Sequence, residues 1–229
     1  MPEPPLSTSI HFRTLASIVE RGYAPDVAEL AATLDRSGEE ISAGLRELSD
    51  QHGIVLQPDS DEIWIAHPFA LMPTGITLRR GESVWWSNCI WCGLGAAHLL
   101  GGDVDLTMPI GGEDELATLR FRDGELLDPD YVAHFAVPMA DAWRNVVYTC
   151  AMMCLFRKPA DVLTWCERHR LPLGDIRPLS RVWPFAKEWY GRHLDRDWRK
   201  WTAAEAAGIF ARHGLDGPIW NLGDVSERF

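Results

Sequence analysis

No stretch of this chain alternates helix-like and strand-like segments in a regular order, and that most narrows the folds open to it. Phe12, Leu15, Ile18 and Val19 form an apolar stripe that predicts a helix over His11–Arg21, stopped by Gly22. Val27, Leu30, Ala31 and Leu34 mark a second short helix after Pro25 and Asp26. The S-x-x-E box at Ser37 and Glu40 opens a third, through Ile41, Leu45 and Leu48. Ile54-Val-Leu56 and Ile63-Trp-Ile65 then flank a turn at Pro58–Asp61. After Pro68 and Pro73, residues 76–86 read as extended with a turn at Gly81, and Asn88–Leu100 as a buried helix ending at Gly101-Gly102. Asp103–Leu127 alternates like short strands with turns at Gly111-Gly112 and Asp123-Gly124, and His134–Val137 is a further strand. Asp141–Phe156 reads as a second apolar helix, carrying Val146, Val147, Cys150, Met153, Cys154 and Phe156. Helices follow over Asp161–Arg170, Leu179–Leu194 and Thr202–His213. Helices, then a mixture, then helices define an α+β fold and exclude a βαβ series.

Three helices followed by a two-stranded ribbon is the winged-helix pattern. The expected organisation is a winged-helix-like structural domain over 1–72, then a mixed core of short β-strands surrounded by helices over 73–229. DNA binding by the first part is disfavoured by charge. Residues 1–72 carry four Arg and no Lys against twelve Asp and Glu, a net −8, whereas the remainder is at −3. The candidate recognition helix, Glu39–Leu48, presents Glu39, Glu40 and Glu47 against Arg46 alone, the opposite of the basic footprint that nucleic acid needs. No nucleic-acid partner is expected. No apolar run approaches the roughly 20 residues of a membrane helix. Met1-Pro-Glu-Pro-Pro lacks the features of a secretory signal. The expectation is a cytoplasmic protein with no membrane partner.

A reducing compartment changes how the cysteines read. Four of the five fall into two short-spaced pairs, Cys89-Ile-Trp-Cys92 and Cys150-Ala-Met-Met-Cys154. On helices, i,i+3 and i,i+4 spacings share a face. Two facing helices would thus gather soft ligands inside an apolar segment. Simple burial of small hydrophobes is one alternative. A Cys₄ structural zinc site is another, although Trp85-Trp86-Ser-Asn-Cys89 lacks the polar, glycine-rich flanks of a zinc knuckle. A redox pair at a helix N-terminus is the third, without the βαβ unit that normally carries it. Cys166 stands alone on an exposed-looking helix and reads as structural. Among other polar residues, His134 reads as a core histidine and His98 as a surface one. Asp141 is expected to cap the second cysteine helix, and Ser87 and Asn88 the first. Trp85, Trp86 and Trp91 read as core that also suits an apolar pocket wall.

Trp85-Trp86-Ser-Asn88-Cys89-Ile-Trp91, with Val146-Val147-Tyr148-Thr149-Cys150 some sixty residues on, resembles the organomercurial (alkylmercury) lyase family. The segment Arg177–Leu222, with Trp189-Tyr190, Asp197-Trp198-Arg199 and Gly217-Pro-Ile-Trp220, resembles the C-terminal part of lyase-like members. In that family two cysteines and an aspartate split a carbon–mercury bond. The resemblance places the two cysteines at Cys89 and Cys150. The aspartate follows the first cysteine by three positions, where this chain has Cys92.

The chemistry also follows from the ligands. Mercury(II) is soft and prefers thiolate to other side chains. One thiolate captures R–Hg⁺, a second drives density toward carbon, and a positioned acid protonates the departing carbon. A Cys92 thiol, with a reference pKa of about 8.5, starts protonated and has a proton to give. Afterwards it becomes a third soft ligand for the product. The expectation is slow carbon–mercury cleavage with Cys89, Cys150 and Cys92 in the site and Cys154 as a neighbour. No cofactor is required, Hg(II) is product or bound ion, and the partner is a small organometallic or soft-metal ligand. A non-enzymatic soft-metal binder (Hg, Zn or Cu), or a lyase for a non-mercurial substrate on the same scaffold, is the alternative.

Overall fold

Local capping chemistry sets the first fifty residues. The computed structural model describes residues 4–127 and 129–223. Helix α1 spans Leu6–Arg21 and stops at Gly22, whose φ of +85° suits a residue without Cβ. Helices α2 (Val27–Leu34) and α3 (Gly38–Asp50) each open on a reciprocal capping box, Asp26 with Glu29 and Ser37 with Glu40. Their apolar stripes bury Ile10, Leu15, Ile18, Leu30, Ile41, Leu45 and Leu48. Gly44 lets α3 approach α1 so closely that an added Cβ would lie 2.5 Å from Ile10 Cδ1.

An eight-stranded antiparallel sheet follows. Its strands are β1 (Val55–Leu56), β2 (Ile63–Ala66), β3 (Phe69–Ala70), β4 (Thr77–Arg80), β5 (Ser83–Ser87), β6 (Val104–Pro109), β7 (Leu116–Arg122) and β8 (Glu125–Leu126). Their order is β1-β2-β3-β5-β4-β6-β7-β8, so the hairpin after the helices is the edge of the same sheet that carries the core strands. Burial alternates along β6 and β7, one face in and one face out. A second sheet, ordered β10-β9-β11, joins β9 (Val132–Phe135), β10 (Met153–Phe156) and β11 (Asp175–Pro178). The two sheets meet where Gly111 N–H donates to the Leu155 carbonyl at 2.9 Å. The fold is α+β, with helices α6 (Pro159–His169), α7 (Leu179–Tyr190) and α8 (Ala203–Arg212) completing the second half.

Helix α4 (Ile90–Leu100) joins β5 to β6 and is buried on nearly every side, as an all-round apolar helix must be. Two glycines make that possible. A Cβ on Gly93 would meet Leu106 of β6 at 2.9 Å, and one on Gly95 would meet the Tyr190 ring of α7 at 2.1 Å. Gly95→Ala should therefore cost about 1–3 kcal/mol through overpacking, despite alanine's better helix propensity. Urea denaturation measures it; an unchanged midpoint would show that α7 yields freely.

Two sequence expectations are corrected. Asp141–Phe156 is not one helix but a 3₁₀ segment, Met139–Asn145, then a short α5, Val146–Ala151, then β10. Met153-Cys-Leu-Phe156 pairs residue for residue with Phe135–Val132 of β9, and that cross-strand ladder outcompetes continuation of the helix. Asp141 does not cap α5. Asn145 does, accepting from Tyr148 N–H at 3.0 Å, while Asp141 pairs with Arg144 at 3.0 Å. Cys166 is buried against the second sheet, in keeping with its reading as a structural cysteine. Among the described residues, no helix is long and apolar enough to cross a membrane.

Candidate metal centre

The two cysteines at the start of α4 are brought together by a cap rather than by helical spacing. Cys89 is the N-cap residue in extended conformation, and its sulfur accepts the Cys92 backbone N–H at 3.3 Å. The capping role expected of Ser87 and Asn88 falls to this thiol. Ser87 instead donates its hydroxyl to the Pro68 carbonyl at 2.8 Å, pinning the β2–β3 turn against the start of α4. That turn carries His67. The His67 Nδ1 lies 3.7 Å from Cys92 Sγ, and the Tyr190 hydroxyl, at the end of α7, lies 3.5 Å from it on another side. Helix α5 delivers Cys150, held in place where Thr149 donates its hydroxyl to the Ala142 carbonyl at 3.0 Å. Ligand atoms of His67, Cys92 and Cys150 all lie within 4.8 Å of one another, and all three residues are buried.

Cys154 is not part of this group. The α5–β10 break removes the i,i+4 relation to Cys150 and sends Cys154 into a separate cluster with Phe156, Trp165 and Cys166. Burial pushes its thiol up to about 11, so it stays protonated and inert. His134, opposite Cys154 in the ladder, shares a hydrogen bond with the Leu173 carbonyl at 2.7 Å and is a core histidine. His98 is partly buried, edge-on to Trp183.

The three sulfurs do not titrate alike. Cys92 is held well below the usual thiol range, because Cys150 and Cys89 both offer it hydrogen bonds; burial opposes this and His67 assists. Burial pushes Cys89 well up, and hydrogen bonding within the cluster, first to Cys89 and then to Cys92, does the same to Cys150. Within the cluster the thiolate is therefore favoured on Cys92 over Cys89 and Cys150. Burial also keeps Tyr190 protonated, so its hydroxyl donates to that charge.

A cavity of about 50 Å³ opens beside these groups. Trp91, Trp143 and Met153 give it apolar walls, His193 and Lys200 line it as well, and among the described residues no carboxylate does. The Lys200 ammonium lies 4.0 Å from the centroid of Trp143, and burial brings it down to about 7. Burial brings His193 down to about 3, with Lys200 and His67 adding repulsion.

His67, His193 and Lys200 were not identified from the sequence, and Tyr190 entered only as part of a longer similar segment. No local spacing relates them to the cysteines. The one available signal was an unexplained histidine between two apolar strand runs, Ile63–Ala66 and Phe69–Ala70.

Comparison with known proteins agrees with this chemistry. A family model described as "MerB: Alkylmercury lyase" matches residues 69–191, just over half of the chain. A solved structure described as the mercury-bound form of MerB2 superposes with a TM-score of 0.68 at 21% identity, covering 84% of this chain and 93% of that one. No curated protein matches. His67, Lys200 and His193 all lie outside the matched family span.

Proposed function

Because the chain belongs to the alkylmercury lyase family, we propose that it captures organomercurials on its buried thiols, cleaves them slowly, and retains the resulting Hg(II). The observation that carries this reading is the donor set itself: two thiols and an imidazole around an aromatic cavity with no carboxylic acid on its wall among the described residues. Soft thiolates select a soft metal, and the apolar walls suit an uncharged organic group.

The Cys92 thiolate displaces the ligand X⁻ of R–Hg–X and holds R–Hg⁺. Cys150 then approaches mercury as a thiol. Its proton passes to carbon, where the electron pair of the breaking C–Hg bond receives it, and R–H leaves. The sulfur left behind becomes the second thiolate on Hg(II). The thiols supply both ligands and proton, so no cofactor enters. Two features slow the sequence. Cys150 is a poor acid, and no carboxyl group relays its proton; positioned general acids contribute roughly 10²–10⁴-fold. His67 and Cys89 stand ready as further ligands, which delays release.

Phenylmercury is the test substrate, with benzene measured by gas chromatography and protein-bound mercury measured after gel filtration. Wild type should release about one benzene per chain and keep the metal. Cys92→Asp, which leaves capture to Cys89 and puts a carboxyl group at the third position after it, should turn over at least tenfold faster. Wild type turning over repeatedly with no retained metal would sink the reading. Retained phenylmercury with no benzene would leave a soft-metal binder without lyase activity.

A further inference from the structure

The cavity holds more donor capacity than mercury chemistry uses. Lys200 is 8% exposed and lines the same cavity as Cys92 and Cys150. Burial is the sole influence on its ionisation, and among the described residues no carboxylate or hydrogen-bond acceptor meets its ammonium. A buried ammonium with only an aromatic face against it is costly to keep charged. Three polar atoms of other cavity-lining residues have no partner, His67 Nε2, Trp91 Nε1 and His193 Nδ1. Trp143 connects the two ends: its ring meets His67 edge-on at 5.6 Å, and Lys200 lies over it.

We propose that the site prefers mercurials whose organic group carries a carboxylate, with Lys200 as the residue that receives it. This rests on the thiol-capture reading above and adds the substrate class. Mercury on Cys92 directs a short organic arm along Trp143, and a carboxylate at its end reaches the unpartnered ammonium. The ligand thus brings the counter-charge that the fold omits, in a charge-assisted hydrogen bond away from water. A cavity of about 50 Å³ suits an arm of a few atoms.

A pair with the same three-carbon chain tests it: 2-carboxyethylmercury and n-propylmercury, each titrated onto the full chain against 2-mercaptoethanol as a neutral competing thiol. Wild type should hold the carboxylate about tenfold more tightly, in line with one charged hydrogen bond. Lys200→Met should lose that preference while binding n-propylmercury within about twofold of wild type, which also shows that the variant is folded. Lys200→Arg should retain part of it. Equal affinities in wild type, or a preference that survives Lys200→Met, overturns the assignment and leaves thiol capture standing. If neither mercurial withstands the competing thiol, capture itself fails and the substrate preference falls with it.

Discussion

Cys150→Ser should abolish hydrocarbon release from phenylmercury and weaken Hg(II) retention on the order of 10²–10³-fold, the share of one ligand in a multidentate metal site. The effect is large because the residue acts twice, as proton source and as second thiolate. A serine hydroxyl does neither, being a hard and far weaker acid. Cys154→Ser is the matched control. Its sulfur lies in the Trp165 cluster and donates only to the Ala151 carbonyl at 3.5 Å, so both readouts should stay within about twofold of wild type. Benzene yield and bound mercury are measured on the same samples. If Cys154→Ser loses as much as Cys150→Ser, the break between α5 and β10 is misplaced and the sulfurs share one helical face after all.

Acid should unfold this protein early. His193 titrates at about 3 in the folded state, against an ordinary value of 6.5, chiefly because it is buried, and His11 is displaced the same way for the same reason. The unfolded chain therefore takes up protons that the folded chain refuses. The contribution of His193 is complete above pH 6.5 and is lost as pH falls toward 3, by about 1.4 kcal/mol per pH unit. His11 adds to this slope in the same direction, and the window between pH 6.5 and 4.5 comes before most carboxylates contribute. Urea denaturation at stepped pH should show a loss of several kcal/mol across that window in wild type, and about half the slope in His193→Phe. An unchanged slope would mean that His193 takes its proton without unfolding. The groups facing His193, namely Lys200, His67 and His11, are cationic or neutral, and Cys92 alone brings opposing charge; retained Hg(II) on Cys92 should steepen the acid sensitivity further.

How much of this was legible in sequence depended on range. The capping box at Ser37 is complete within four residues, and the turns at Gly81 and Asp123-Gly124 declare themselves by type; all appear where expected. The run from Val146 to Phe156 has no glycine or proline to mark its change from helix to strand. Only pairing with β9 breaks it, and β9 is some twenty residues away. The cysteine pairs misled for the same reason. Cys89 and Cys92 do meet, but through an N-cap, and Cys150 and Cys154 do not meet at all. His67 was invisible because what makes it a candidate ligand is the Ser87–Pro68 hydrogen bond, which folds one strand turn onto the start of α4. The family resemblance supplied the chemistry; the third donor, and the absence of an acid near it among the described residues, came from the fold.

That the donors sit on a turn, on the first turn of a helix and on a separate short helix has a consequence during synthesis. A ribosome-bound chain carries its thiols far apart, each no better a ligand than a free cysteine. Chelation arises only when β2–β3, α4 and α5 have docked, so strong affinity appears late and all at once. Unfinished chains are thereby spared from loading, and finished ones, once loaded, are clamped across three segments. A cell making this protein under mercury exposure would accumulate the occupied form by selective survival as well as by binding.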